Sequence, residues 1–223
     1  MPFASRHRDD PAPRVAPVPG LHVRREASAD VMAALQGRSV EEMAVRFAAG
    51  HRAYVALRDG EPAAWGWVAT RAAHIGELDA AIALPRGERY LWNFVTLAAH
   101  RGLGIYPALL EEIIREESRE AERFWIAWAP ENHASASGIR KAGFAAVAEL
   151  SFDAAGRPAL RAMVEGGETA AARVLGLPVA EEALALCWRC VRAAAKAAPP
   201  AATRCHDGAC ECDYQRPISG CAA

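Results

Sequence analysis

The chain has 223 residues, 52% of them hydrophobic, and a formal net charge of −1, with 26 Lys and Arg against 27 Asp and Glu. That length supplies one good core with appendages, and the balanced charge argues against a protein built around a basic stripe for nucleic acid. No apolar run is long enough to cross a bilayer, and residues 1–19, which mix Arg and Asp with several prolines, lack the apolar centre of a secretory signal, so they read as a disordered tail on a cytoplasmic protein.

Beyond that tail, Leu21-His22-Val23-Arg24-Arg25 alternates as a first strand. Ser28 or Asp30 then caps a short helix through Met32 and Leu35. A second helix runs from Ser39 to Ala49, with Ser39 and Glu42 spaced as a capping box and Met43, Phe47 and Ala48 on its buried side. Two strands follow, Ala53–Leu57 and Ala63–Ala69, joined at Asp59-Gly60, a pair that tolerates the positive φ angles of a tight hairpin. Trp65 and Trp67 share one face of the second strand and read as core. The stretch 72–86, with His74, Glu77 and Asp79 before Pro85, suggests a strand and loop near a pocket.

A central strand rises from Glu88 through Leu91-Trp92-Asn93-Phe94-Val95-Thr96-Leu97 into a turn with two glycines, Gly102 and Gly104, and then into a helix. Leu109, Leu110, Ile113 and Ile114 mark the helix's inner face, and its run of Glu and Arg is a solvated outer face. Next come a strand at Phe124–Trp128, a helix at Ser135–Lys141, and a final hairpin, Ala145–Phe152, turning at Ala154-Ala155-Gly156 and returning through Leu160 to Met163. Strands and helices in this order around a βα junction define an α/β or α+β sandwich.

The junction is also an anion site by its physics. The first turn of a helix leaves N–H groups without carbonyl partners at the positive end of the dipole. Glycines at 102 and 104 let that backbone bend sharply and approach a bulky diphosphate, with Arg101 adding charge at the rim.

Two blocks carry a resemblance. The first is Arg101-Gly102-Leu103-Gly104-Ile105-Tyr106, and the second runs from Asn132 through Ser135, Ser137 and Ile139 to Gly143-Phe144. In order and spacing they resemble the signature blocks of the GCN5-related N-acetyltransferase (GNAT) superfamily, over residues 20–165. The resemblance implies a mixed, mostly antiparallel central sheet flanked by helices; a 166–196 helical extension and a 197–223 Cys-rich tail lie beyond the residues it covers. It also implies acetyl-CoA as cosubstrate and direct acyl transfer to an unidentified amine, with the early helical pair shaping one wall of the acceptor pocket.

The pantetheine arm is expected between Asn93–Leu97 and Trp125–Ala129, bonding as an added strand. Backbone N–H groups at Thr96 and Leu97 would polarise the thioester carbonyl, Asn132 would bond the arm, and Arg101 to Tyr106 would hold the diphosphate. Glu88 and Tyr90 alternate onto one face of the central strand and are candidates to deprotonate the amine. Family members often place a Tyr seven residues after the Asn to protonate the departing thiolate, and here that position is Ile139. Ser137 and His133 are further hydroxyl and imidazole candidates, and Tyr106 stands where the family prefers Gly or Ala. The alternative is a non-catalytic acyl-CoA-binding or protein-interaction module.

All six cysteines lie near the C-terminus, at 187, 190, 205, 210, 212 and 221. Cys187 and Cys190 share the apolar face of a helix expected after Pro178. Cys205, His206, Cys210 and Cys212 fall within eight residues, and three readings stand open: a zinc site on Cys205, Cys210 and Cys212 with either His206 or a thiol from Cys187 or Cys190, a set of disulfides, or free thiols.

Overall fold

The computed structural model describes residues 1–76, 80–153 and 157–180. Within them an eight-stranded sheet runs β10-β9-β1-β8-β7-β4-β3-β2, with every neighbouring pair antiparallel except β7 and β8. Its strands are β1 (Pro2–His7), β2 (Leu21–Glu26), β3 (His51–Arg58), β4 (Glu61–Ala69), β7 (Glu88–Thr96), β8 (Arg123–Ala127), β9 (Ala145–Phe152) and β10 (Pro158–Ala162). A separate two-stranded hairpin, β5 (Ala72–Ile75) and β6 (Ala80–Ala83), occupies the stretch before Pro85, while Glu77 and Asp79 fall outside the described residues. The helices are α1 (Ala29–Gln36), α2 (Val40–Ala48), α3 (Ile105–Glu117), α4 (His133–Lys141) and α5 (Gly167–Leu175). This is the mixed, mostly antiparallel sheet flanked by helices that the sequence implied.

Local chemistry sets many of the boundaries. Ser28 and Ser39 cap α1 and α2, their hydroxyls accepting from Val31 N at 3.3 Å and Glu42 N at 3.2 Å. Asp59 and Gly60 carry φ of 52° and 90°, the two left-handed residues of the tight β3–β4 turn. Alternation along β3 sends Tyr54 and Ala56 to one face, against α3 and α4, and Ala53 and Val55 to the other, against α1 and α2. Ile105, Leu109, Leu110, Ile113, Ile139 and Phe144 fill the first face. Met32, Met43, Trp65 and Trp67 fill the second, so both tryptophans are core, as the sequence suggested. A third cluster joins α5 to Phe3, Tyr90, Trp125 and Leu150.

The first residues differ from the sequence reading. Far from forming a tail, Pro2–His7 is the strand β1, inserted between β8 and β9 in the middle of the sheet. Phe3 is fully buried and stacks on Trp125 with ring centroids 5.0 Å apart, and the Met1 amine donates to Leu150 O at 2.6 Å. A six-residue strand carrying Ser, Arg and His has little local apolar signal, and its partners lie more than a hundred residues away in sequence, so tertiary pairing decides it. Even Arg6 is buried, donating to Ala142 O at 2.9 Å and pairing with Glu111. The proline-rich link then crosses the helical face, where Val18 packs against the α3–α4 core and its Cγ2 lies 3.7 Å from where a Cβ on Gly104 would stand.

A second difference is at Pro178. Instead of opening a helix, Val179 bridges to Leu160 and Ala180 N donates to Leu160 O at 2.7 Å, because the outer edge of β10 offers unpaired backbone groups. The turn at 154–156, the rest of the expected helix and all six cysteines lie outside the described residues.

At the foot of the sheet a buried ionic cluster clamps α3 to β3 and β7. Glu117, at the end of α3, has no exposed side-chain surface. It accepts from Tyr54 Oη at 2.7 Å, Arg52 Nη1 at 2.8 Å and Arg89 Nε at 2.8 Å. Glu120 receives the other arms of Arg52 and Arg89, at 2.6 and 3.3 Å. A buried carboxylate is tolerated when its lone pairs are filled in this way.

Candidate active site

The site begins with a parting of strands. β7 and β8 pair in parallel only from Glu88↔Arg123 to Leu91↔Ile126. Beyond that point β7 stays with β4 as far as Thr96↔Ala64, and β8 stays with β1 as far as Ala127↔Phe3. Each strand therefore follows its antiparallel partner, and the inner edges are left with backbone groups free to bond an extended chain.

A bulge shapes the upper part of β7. Opposite Gly66 two residues, Asn93 and Phe94, fill the space of one, because Trp67 pairs with Trp92 and Trp65 with Val95. Asn93 takes φ 52°, a left-handed conformation that Asn tolerates. A Cβ on Gly66 would lie 2.0 Å from Phe94 Cε1, so only glycine admits the ring. The bulge turns Asn93 toward α1, where its Nδ2 donates to Gln36 Oε1 at 3.3 Å.

That face carries a polar set which the sequence reading did not single out. Gln36 Oε1 also accepts from Arg46 Nη1 at 3.2 Å and Trp67 Nε1 at 3.4 Å. The Arg46 guanidinium lies 5.2 Å from the Trp67 ring and 5.0 Å from the Trp92 ring. Trp92 Nε1 donates to His51 Nδ1 at 3.1 Å, which places the neutral ring's proton on Nε2. Burial lowers the His51 pKa, and the charges of Arg46 and Arg71 lower it further. An Asn inside an aromatic strand was the available signal for this set.

Above the parting, Gly102 and Gly104 both take φ 77°, the left-handed geometry reserved for glycine in such a turn. Gly104 is the N-cap of α3, and no side chain caps that terminus. The N–H groups of Ile105 and Tyr106 thus face outward at the positive end of a thirteen-residue helix. Leu103 is exposed, and Arg101 folds back, its Nε donating to Thr96 O at 3.1 Å. Leu97 N donates to Ala63 O at 2.9 Å, so that expected oxyanion donor is already used. Successive strand amides point to opposite edges, which leaves the Thr96 N–H directed toward the parting.

Asn132 caps α4, its Oδ1 accepting from Ser135 N at 2.9 Å, while its Nδ2 has no protein partner among the described residues. His133 is exposed, and Ser137 is half-buried. Ile139 is fully buried. Tyr106 fills the space between the helices: its ring is 5.5 Å from Phe94, and a Cβ on Gly138 would stand 2.4 Å from its Cδ1. The Tyr106 and Ser135 hydroxyls lie 3.5 Å apart, and burial pushes the phenol pKa up to about 12.

Glu88 and Tyr90 are not brought to this place. Glu88 opens β7, five residues before Asn93, roughly 17 Å away at ~3.3 Å per residue. It is buried, accepting from Trp125 Nε1 at 2.5 Å and pairing with Arg173 of α5. Tyr90 is buried in the α5 cluster, 6.3 Å from the Phe3 ring. Among the described residues no group of three or more His, Cys, Asp and Glu is placed to hold a metal, and Cys187, Cys190, Cys205, His206, Cys210 and Cys212 lie outside them.

An α/β sheet that parts beside an uncapped, glycine-led helix brings open strand edges and free helix amides to one place. The chain belongs to the acetyltransferase (GNAT) family, whose model matches residues 24–144. Solved structures of similar fold include an acetyltransferase of the GNAT family from Streptococcus pneumoniae, 17% identical over 58% of this chain and 88% of that one, with a TM-score of 0.44. The ribosomal-protein-S18-alanine N-acetyltransferase from Escherichia coli is 18% identical over 60% and 83%, at 0.46. Aminoglycoside N-acetyltransferase AAC(6')-Iy, solved with CoA, is 16% identical over 56% and 91%, at 0.44. Among curated proteins no sequence matches the chain.

Proposed function

We propose that the protein is an acetyl-CoA-dependent N-acetyltransferase that passes the acyl group directly to an amine, within a domain whose sheet takes in β1 as well as residues 20–165. The observation that carries this reading is the parting of β7 and β8 beyond Leu91 and Ile126, directly below the uncapped start of α3. In this reading the amides of Ile105 and Tyr106 receive the diphosphate, with Gly102 and Gly104 keeping the approach clear. The pantetheine arm lies along the inner edge of β7, with the Asn132 Nδ2 donating to it. The Thr96 N–H faces the thioester carbonyl and stabilises the oxygen as the amine nitrogen adds.

The acceptor enters from the opposite face, over Trp92, Asn93, Gln36 and Arg46. Its nitrogen forms the new N–C bond, the C–S bond breaks, and CoA leaves as the thiolate. In this reading the amine proton passes to solvent. The Tyr106 hydroxyl, set by Ser135, stands in for the tyrosine replaced by Ile139. A phenol of pKa about 12 facing a thiolate of pKa ~8.5 would lose about 5 kcal/mol on full proton transfer, so it stabilises the leaving sulfur by hydrogen bonding while water supplies the proton.

The test is a panel of small amines, peptide N-termini and lysine peptides incubated with acetyl-CoA, reading released thiol and acetylated product. Amine-dependent release establishes the activity. Saturable CoA binding without turnover on any acceptor favours instead the non-catalytic acyl-CoA-binding reading, to which the core isoleucine at 139 lends weight.

A further inference from the structure

At the foot of the sheet, opposite the parting, a cavity of 520 Å³ is lined by Arg52, Thr70, Arg86, Gly87, Arg89, Arg119 and Glu120. Four guanidinium groups, from β3, the turn before β7, β7 itself and the segment after α3, line it. The carboxylates they meet, Glu117 and Glu120, are saturated by Arg52 and Arg89. Arg86 and Arg119 are exposed and form no ion pair among the described residues. An adjoining hollow shares Arg52 and Thr70 and adds Arg25, His51 and Arg71.

Across the two hollows together the arginines outnumber the carboxylates around them. Glu116 acts on Tyr54 from α3, and the Glu122 carboxylate would stand 3.9 Å from a Cβ on Gly87. With both included, Arg52, Arg86, Arg89 and Arg119 at the cavity face Glu116, Glu117, Glu120 and Glu122, and the adjoining hollow adds Arg25 and Arg71, with Glu26 bonded to the Ala27 amide at its wall. The C-terminal carbonyls of α3 add only about −0.5 of a charge. Arg71 spends one donor on Ala48 O at 3.2 Å, Arg52 and Arg89 spend theirs on Glu117, Glu120 and Glu88 O, and the Arg86 and Arg119 guanidinium groups form no ion pair among the described residues.

From this convergence we propose that the cavity is a binding site for a small oligophosphate anion, separate from the acyl-donor site. Guanidinium forks match phosphate oxygens two at a time and are weakly hydrated, so a group of them favours phosphoanions over a single halide. Arg52 and Arg89 are already fixed by Glu117 and Glu120, which leaves Arg86 and Arg119 to close on the ligand from the rim. The α3 helix separates this cavity from Gly104 by thirteen residues, about 20 Å at ~1.5 Å per residue.

Inorganic pyrophosphate is the probe, titrated calorimetrically into the full chain at constant ionic strength. Two saturable sites are expected in the parent chain, one at the start of α3 and one in the cavity; the Arg86→Ala/Arg119→Ala double variant weakens the second at least tenfold, and Gly104→Val keeps it. The double variant removes two exposed side chains without ion-pair partners, so its melting temperature stays at the parent value. Unchanged affinity in the double variant overturns the proposal. So does abolition in Gly104→Val, which places the pyrophosphate at the start of α3, or equal displacement by chloride, which marks a diffuse counterion atmosphere. Acetyl transfer is read separately, so failure here leaves the acyltransferase reading standing.

Discussion

Gly104→Ala isolates the phosphate turn from the rest of the fold. At φ 77° an L-residue costs about 1–2 kcal/mol, which for a domain of this size lowers Tm by roughly 2–8 °C. The new methyl group meets only Val18 Cγ2, at an ordinary contact distance of 3.7 Å, so no steric cost is added within the protein. The methyl does stand beside the uncapped amides of Ile105 and Tyr106. Losing one charge-assisted bond to phosphate, worth about 1.5–3 kcal/mol, weakens CoA roughly 10- to 150-fold. Gly176→Ala supplies the control, since it also has positive φ, 63°, with nothing within 4 Å, but it ends α5 away from the site. The two variants should melt alike while only Gly104→Ala loses CoA affinity by calorimetry. If both variants keep the parent affinity, the diphosphate does not sit on this turn.

Glu117→Gln leaves Arg89 and Arg52 without their buried carboxylate and is expected to cost about 3–5 kcal/mol in urea unfolding, with little change in CoA affinity per folded molecule. Glu88→Gln should lower Tm modestly and keep the parent pH–rate profile, because the carboxylate ties Trp125 to Arg173 at the base of β7; a shifted profile would restore it as the base. Tyr106→Phe should lower kcat about 10-fold with KM for acetyl-CoA nearly unchanged, and an unaltered kcat removes the phenol from leaving-group stabilisation. Because the folded-state pKa of His51 is depressed, its contribution is present above the unfolded value near ~6.5 and is lost as pH falls below it. Tm between pH 7.5 and 5.5 should therefore drop less steeply in His51→Gln than in the parent, and equal slopes would refute the assignment.

Much of the fold was legible because its signals are local. Capping serines, the Asp59-Gly60 turn and the glycine-led start of α3 each state their geometry within a few residues. The parting of β7 from β8 was also anticipated at close to its observed place. What was hidden depends on distant partners. β1 is a strand only because β8 and β9 leave a slot for it, and the Gln36–Asn93 contact joins residues 57 positions apart through a bulge that no alternation pattern announces. Glu88 illustrates a different limit: alternation put it on the same face as Tyr90, but face alone says nothing about height along the strand, and Glu88 stands at the foot of β7, tied to Trp125 and Arg173.

The same strand explains why the site holds its shape. Opening β7 and β8 gives up ladder hydrogen bonds and exposes polar backbone, which by itself favours closing or slipping by a residue. Slippage is opposed at three levels of β7. At its foot Arg89 is locked to Glu117 and Glu120, and Glu88 to Trp125 and Arg173. In the middle the Asn93 bulge fits one position only, because Phe94 needs the missing Cβ of Gly66. At the top the Thr96 carbonyl is held by Arg101 and the Leu97 amide by Ala63. β8 is fixed in turn on its far side by β1, whose Phe3 stacks on Trp125. Removing β1 should therefore do more than expose an edge: with Trp125 unsupported, β8 is free to move against β7, and a truncated chain should lose CoA affinity before it loses helical content.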